Sequence, residues 1–291
     1  MIVSILEQSL ILGIMVLGIY ITYRVLDFPD LSTDGTFPLG AAVVGIMLIK
    51  GYSPWTAMFF AGIAGAMAGS VTGFLHTHLK ITNLLSGILV MIGLYSINLR
   101  IMGKSNIHLF NVQHLFNMEK IFNIKNAFIM ENINLVILTL ILLFFTLLLG
   151  LLFKTKFGFI LRALGDNENL VSSLGVNEKV LKISGLALGN SLVAISGGLF
   201  AQYQGFSDVS MGTGIVVVGL ASIILGELVC GKFKGISPLI AILIGGILYR
   251  SVIAISLNLG LKASDLKLLT TVIIVLIIAT KVSVEKIKVG R

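Results

Sequence analysis

The sequence predicts an all-α polytopic membrane protein, with about eight transmembrane helices plus one short broken or re-entrant helix, on three observations. Hydrophobic residues make up 56% of the 291 and charged residues 12%, about half the charged share of an ordinary soluble domain. Mean hydropathy is +1.04, which leaves too little polar surface to cover a water-soluble globule of this size. The apolar runs, such as 135–153 and 268–279, are continuous, whereas a barrel strand alternates over roughly ten residues. Only helices and closed barrels satisfy every backbone group in hydrocarbon, so these runs are helices.

At about 20 apolar residues per crossing, the first helix covers residues 5–26. It lacks a basic leader and a small-residue cleavage site, so it is expected to be retained. Residues 36–49 are apolar but short; Pro29 and Gly35 precede them and Pro38 stands near their start. That combination fits a re-entrant or broken helix. Further crossings are expected at 54–76, 81–102, 132–153, 183–204, 212–231, 236–257 and 266–281, all within a single domain 1–291.

The long polar connection, about 103–131, is expected to face outward. The loop at about 155–180 and its borders carry Lys154, Lys156, Arg162, Lys179 and Lys182, and the tail carries Lys281, Lys286, Lys288 and Arg291. By the positive-inside rule both lie in the cytoplasm, which puts the C-terminus inside. If 28–50 return to the side they left, both termini are cytoplasmic; a nine-span alternative with an external N-terminus also fits.

Several function classes are excluded. The net charge of +8 is scattered between apolar runs, so it reads as topology and no nucleic acid is expected. A lone cysteine, Cys230, allows neither an internal disulfide nor a thiolate cluster. His76 and His78 stand two apart beside Lys80 without a carboxylate partner, so no metal site is expected. No GxxxxGK[ST] loop, Ser-His-Asp set or paired carboxylates occur. The chain is therefore expected to be no enzyme and to hold no cofactor of its own.

Small and polar residues inside the spans carry the remaining signal. Gly65, Gly69 and Gly73, and again Gly185 and Gly189, allow close helix approach, within one subunit or along a dimer seam. Glu227 reads as a near-interface partner of Lys232 and Lys234, while Arg100 and Arg250 lie near helix ends and can snorkel. Asp27, Asp30 and Asp34 crowd the broken segment, placed to meet a solute amine or to cap the following half-helix. The run Phe28-Pro29-Asp30-Leu31-Ser32 returns as Phe206-Ser207-Asp208-Val209-Ser210. Paired interruptions of this kind point to a solute pathway or are plain helix-breaking loops.

Residues 158–177 read GFILRALGDNENLVSSLGVN. Phe159, Ile160, Leu164, Leu170, Val171 and Leu174 supply an apolar side, and Arg162, Asp166, Asn167, Glu168 and Asn169 a polar one. Such a stretch lies across the membrane face, either inserted in a groove of a soluble partner or resting on headgroups.

The stretches DLSTDGTFPLGAA (30–42), ITNLLSGILVMIGLYSINLRIMGKSNI (81–107), RALGDNENLVSSLGV (162–176), AQYQGFSDVSMGTGIVVVGLASIILGE (201–227) and LGLKASDLKLLT (259–270) resemble, in collinear order, the permease subunits of bacterial ATP-binding-cassette (ABC) importers. The likeness is to the branched-chain amino acid and ribose permease branch, and more narrowly to the tryptophan/tyrosine transport permeases. The resemblance implies an ABC importer permease fold in the bacterial inner membrane. It also implies a second copy of the chain, two cytoplasmic ATPase subunits that bind ATP and Mg, and an extracytoplasmic substrate-binding protein. It assigns ATPase coupling to Arg162, Gly165, Asp166, Asn167 and Glu168. The translocation route falls to Ser32, Thr33, Asp34, Gly35, Asn83, Ser86, Asp208 and Ser210, with an aromatic amino acid as cargo. The competing expectation is an ion-gradient-driven secondary transporter, for which Glu227 is the candidate intramembrane carboxylate.

Overall fold

The computed structural model describes residues 2–110, 112–117, 127–230 and 237–258, with isolated positions 268, 271, 272, 275 and 276 beyond them. Apart from those isolated positions, the expected helix at 266–281 lies outside the described residues, as do the basic tail, Lys232 and Lys234.

Helix α1 (Ile2–Tyr20) runs into a π-helical turn, Ile21–Val25. After an irregular break, α2 spans Thr33–Ile49 and α3 spans Pro54–Leu79. Ser53 starts α3, accepting a hydrogen bond from the Thr56 amide at 3.3 Å with Pro54 in the first helical position, where a missing N–H costs nothing. Helix α4 (Asn83–Met102) ends on Gly103 and α8 (Glu178–Gln204) on Gly205. Both glycines adopt the left-handed conformation, φ +71° and +75°, that terminates a helix without Cβ strain. Between them lie α5 (Ala127–Leu152), α6 (Lys156–Asp166) and α7 (Glu168–Ser173). The chain continues through α9 (Ile215–Cys230) and α10 (Pro238–Asn258). Strands β1 (Asn106–His108) and β2 (Phe206–Asp208) pair antiparallel over one end of the bundle.

Among the described residues, six helices are long and apolar enough to cross a bilayer, and α2 and α9 are shorter apolar helices. Helix α8 is the axis of the bundle, and contacts along it fix the helix directions. Leu26 meets Gly185, Thr22 and Gly18 meet Gly189, Ser196 Oγ donates to the Ile11 carbonyl at 2.7 Å, and Tyr203 donates to Glu7 at 2.9 Å. Helix α1 is therefore antiparallel to α8. So is α3, in which Gly73, Gly69 and Gly65 meet Ile183, Leu186 and Asn190 in turn. Helix α2 runs the other way, with Ser32 beside Asn190, Phe37 beside Gly197 and Val44 beside Gly198.

Of the two forms expected, re-entrant or broken, these directions exclude the re-entrant one. Had 28–50 returned to the side they left, α1 and α3 would be antiparallel; they run the same way, with α2 carrying the chain back between them. The N-terminus thus lies at the bundle end opposite the α6–α7 loop. The physical reason is packing. Helix α2 is buried along nearly its whole length, so 17 residues, about 25 Å of helix, traverse the interior without needing a full lipid-facing span.

Glycines set the closest approaches. A Cβ on Gly40 would meet the Ala194 backbone and one on Gly197 the Phe37 carbonyl, while Gly65 and Gly69 face the α8 backbone. The small-residue stripes thus serve packing within the subunit. Gly197→Ala should destabilise the fold by about 1–3 kcal/mol through overpacking. Gly93→Ala, where an added Cβ has nothing within 4 Å, should be neutral or slightly stabilising. Unfolding of the two variants in detergent checks the contrast.

Candidate functional site

The chain is interrupted at 26–32, where the π turn ends and α2 has not begun. Asp27 takes a left-handed conformation at φ +51°, uncommon away from glycine but tolerated by aspartate. Asp30, 3% exposed, resolves the polar demands of this break. Its Oδ1 accepts from the Ser32 amide at 2.8 Å and its Oδ2 from Asn190 Nδ2 at 2.7 Å. Ser32 Oγ donates to Asn190 Oδ1 at 3.3 Å, and Thr36 Oγ1 donates to the Ser32 carbonyl at 3.0 Å. Asn190 lies near the middle of the 27-residue α8, so this polar knot is deep in the bundle.

Asp34 caps a helix distant in sequence. Its Oδ2 accepts from the Gly214 amide and its Oδ1 from the Val216 amide, each at 2.9 Å. A carboxylate there satisfies N–H groups that open α9 and faces the positive end of its dipole. The capping expected of this acidic cluster is present, but across 180 positions of sequence. Gly212 packs on the Asp34 carbonyl and the Pro38 ring, so α2 and α9 start at similar depth and run outward in opposite directions.

The sequence echo has matching geometry. Ser210 N donates to Asp208 Oδ1 at 2.7 Å, the same turn that Ser32 makes with Asp30. Each turn follows a long helix and precedes one of the two short apolar helices. The unit α8–α9–α10 runs in the reverse sense to α1–α2–α3, as Ala241 beside Gly226 and Gly245 beside Ser222 require.

Asp34, Gly35 and Ser210 line a cavity of about 430 Å³ together with Pro38, Met91, Tyr95, Ser96, Asn98 and Thr213. Asn98, fully buried, donates through Nδ2 to the Gly35 carbonyl at 3.1 Å, and its Oδ1 has no partner among the described residues. The other assigned residues stand apart from this cavity. Ser32 is fully buried in the break and Thr33 at the start of α2, as is Ser86 in the first turn of α4, where it donates to the Asn83 carbonyl at 2.8 Å. Asp208, on β2, accepts from Asn106 at 3.3 Å. Tyr95, Ser96, Asn98, Asn190 and Thr213 went unnoticed in the sequence. Asn98 and Asn190 had a usable signal, an amide within an apolar run, where an unpaired polar group is costly.

The α6–α7 segment differs from the single amphipathic stretch expected. Asn167 ends α6 and caps α7, accepting from the Leu170 amide at 3.1 Å, so the apolar residues divide. Leu161, Leu164 and Val171 are buried, whereas Phe159, Leu170 and Leu174 are 73%, 52% and 68% exposed. Asp166, Asn167 and Glu168 share the exposed side. Arg162 lies 4.6 Å over the Phe153 ring. Gly165 packs against the Val25 carbonyl and Leu26, directly beneath the break.

Glu227 pairs with Arg24 of the π turn at 2.9 Å; the lysines expected as its partners, Lys232 and Lys234, lie outside the described residues. Arg250 donates to Gln8 of α1, so it is tied into the bundle where snorkelling was expected.

The family described as branched-chain amino acid transport system / permease component matches residues 1–280. A tyrosine transport system permease protein of Clostridioides difficile is 48% identical over 96% of this chain and 90% of its own length. An uncharacterised Rickettsia prowazekii protein is 34% identical over 94% of each. An autoinducer 2 import system permease of Salmonella paratyphi B is 30% identical over 68% of this chain and 54% of its own length. No solved structure matches.

Asp34→Ala should cost about 1–2 kcal/mol, the usual loss for a helix cap, and raise hydrogen exchange at the Gly214 and Val216 amides. Asp34→Asn should retain part of the protection. Unchanged exchange in the alanine variant would contradict the capping role.

Proposed function

The chain belongs to the branched-chain amino acid transport permease family, and from that premise we propose that it is the membrane subunit of an ATP-driven importer for tyrosine or a close aromatic analogue. The observation that carries this reading is collinear likeness to a tyrosine transport permease along 96% of the chain. On this reading the working unit is two copies of the chain, two cytoplasmic ATPase subunits and an extracytoplasmic binding protein, in a bacterial inner membrane. The α6–α7 end then faces the cytoplasm, and the β1–β2 end and the N-terminus face outward.

The ATPase docks on the exposed side of α6 and α7. Phe159, Leu170 and Leu174 offer apolar anchors beside the acidic group Asp166 and Glu168. The solute passes the cavity at Asp34, Gly35 and Ser210, near the depth where the short helices begin. Helix starts near a bilayer midplane are a common setting for solute sites. The buried Asn98 Oδ1 supplies an acceptor for an ammonium or hydroxyl group, and Met91, Pro38 and Tyr95 an apolar wall. Transport proceeds by alternating access, each state favoured by differential binding of nucleotide or of the loaded binding protein. No covalent chemistry occurs in this chain.

An ion-driven carrier would need an intramembrane carboxylate free to exchange its ion, and Glu227 is held by Arg24. In proteoliposomes containing all three components, L-tyrosine uptake should require ATP and be indifferent to collapse of proton and sodium gradients, also in Glu227→Gln. Gradient-driven uptake without ATP would overturn the proposal. Replacing Asp166, Asn167 and Glu168 together by alanine should release the ATPase in pull-downs while the bundle stays folded, although loss of the Asn167 cap costs α7 about 0.5–2 kcal/mol.

A further inference from the structure

Resting on the reading of α6–α7 as the ATPase docking face, we propose that Lys182 and His76 form the link that carries movement of α7 to the helix break at 26–32. Glu168 opens α7 and stands on the exposed side. Its Oε1 accepts from Lys182 Nζ at 2.6 Å, and the Lys182 side chain is only 16% exposed. The same ammonium stands 3.5 Å from His76 Nε2. His76 Nδ1 faces the Ile81 carbonyl at 2.8 Å. A carbonyl only accepts, so Nδ1 carries the proton and Nε2 presents a lone pair to Lys182.

The imidazole edge meets the Phe28 ring, with centroids 5.2 Å apart and planes at 82°. Phe28 is 2% exposed and sits two residues before Asp30, the carboxylate that closes the break. Four elements therefore converge on one imidazole: α7 through Glu168 and Lys182, the start of α8, the α3–α4 turn, and the break itself. The break is the segment built to change shape. A π turn precedes it and Asp27 holds a sparsely populated conformation, both features that gather at moving parts of proteins.

The arrangement does mechanical work because the ammonium is poorly hydrated. If α7 shifts with a docked motor, Lys182 must follow Glu168 or lose its carboxylate in a low-dielectric setting, where an unpaired charge is costly. Following it withdraws the donor from His76, and the ring that packs on Phe28 loses one of its two nitrogen contacts. Gly165 against Val25 gives α6 a separate contact with the break, so the link adds a second connection from α7.

A contact chain becomes a coupling route only when coupling is measured, and a double-mutant cycle measures it. The experiment reconstitutes the full complex and reads L-tyrosine import and ATP hydrolysis in the same vesicles. His76→Phe keeps a ring against Phe28 and removes both nitrogens; Lys182→Met keeps the stem and removes the charge. Each should lower import per ATP roughly three- to tenfold while the ATPase stays bound. The double variant should be no worse than the worse single. His76→Gln, which keeps an acceptor near the Nε2 position, should recover most of the coupling.

A second reading needs no cargo. Amide exchange at 26–32 should respond to a non-hydrolysable ATP analogue in the unaltered complex and lose that response in His76→Phe. Multiplying losses in the double variant, or a His76→Phe complex that imports per ATP as well as the unaltered one, would overturn the link. An unaltered chain to which no ATPase binds would instead overturn the docking reading on which the link rests.

Discussion

A helix that stops inside hydrocarbon leaves backbone donors and acceptors that water cannot reach, and each must be paired within the protein. This fold depends on meeting that demand twice. At the first interruption Asp30 takes the Ser32 amide and the Asn190 side chain, so the polar knot joins the break to α8. At the second, Asp34 takes the Gly214 and Val216 amides. Without these carboxylates the two short helices would begin on unsatisfied groups. With them, the starts of α2 and α9 are tied to neighbouring elements by two hydrogen bonds each.

The glycines follow from the same constraint. Asn190 reaches Asp30 only if α2, α3 and α8 lie close, and lipid supplies no hydrophobic drive to bring them together. Gly40 and Gly197 on the α2 side, and Gly65 and Gly69 on the α3 side, let backbones touch there. Small residues thus shape the space in which the polar groups act, and dispersion contacts hold what the hydrogen bonds orient.

Composition and run length carried the fold class, because six spans among the described residues are long and apolar. The direction of α2 was not legible. A 17-residue helix is short for a lipid-facing span, and only its burial by α3, α4 and α8 explains how it traverses. The turns at Asp30 and Asp208 were legible as a repeated pattern, since side-chain-to-backbone turns depend on neighbours in sequence. The partners of Asp34 were not, because capping is usually sought in the turn that follows, and here the capped helix is 180 positions away. The α6–α7 segment misled for a related reason. A hydrophobic pattern shows which residues are apolar but not that a cap at Asn167 rotates α7 so that Leu170 and Leu174 face outward.

The two contacts beneath the break differ in kind, and the difference bears on how a docked partner can act. Gly165 meets the Val25 carbonyl with backbone against backbone. Such a contact is stiff because no rotamer can absorb a displacement, so α6 can only push the π turn as a block. The Arg24–Glu227 pair ties that same turn to α9, so a push there also reaches the second short helix. The contact through Lys182 is soft, since a lysine stem has several rotatable bonds and the pairing can be remade. A stiff contact transmits displacement and a soft polar one selects between arrangements. On the proposed coupling, a break that holds two shapes needs both, which explains why the α6–α7 segment reaches the π turn and the break through a glycine on α6 and a charged residue on α7.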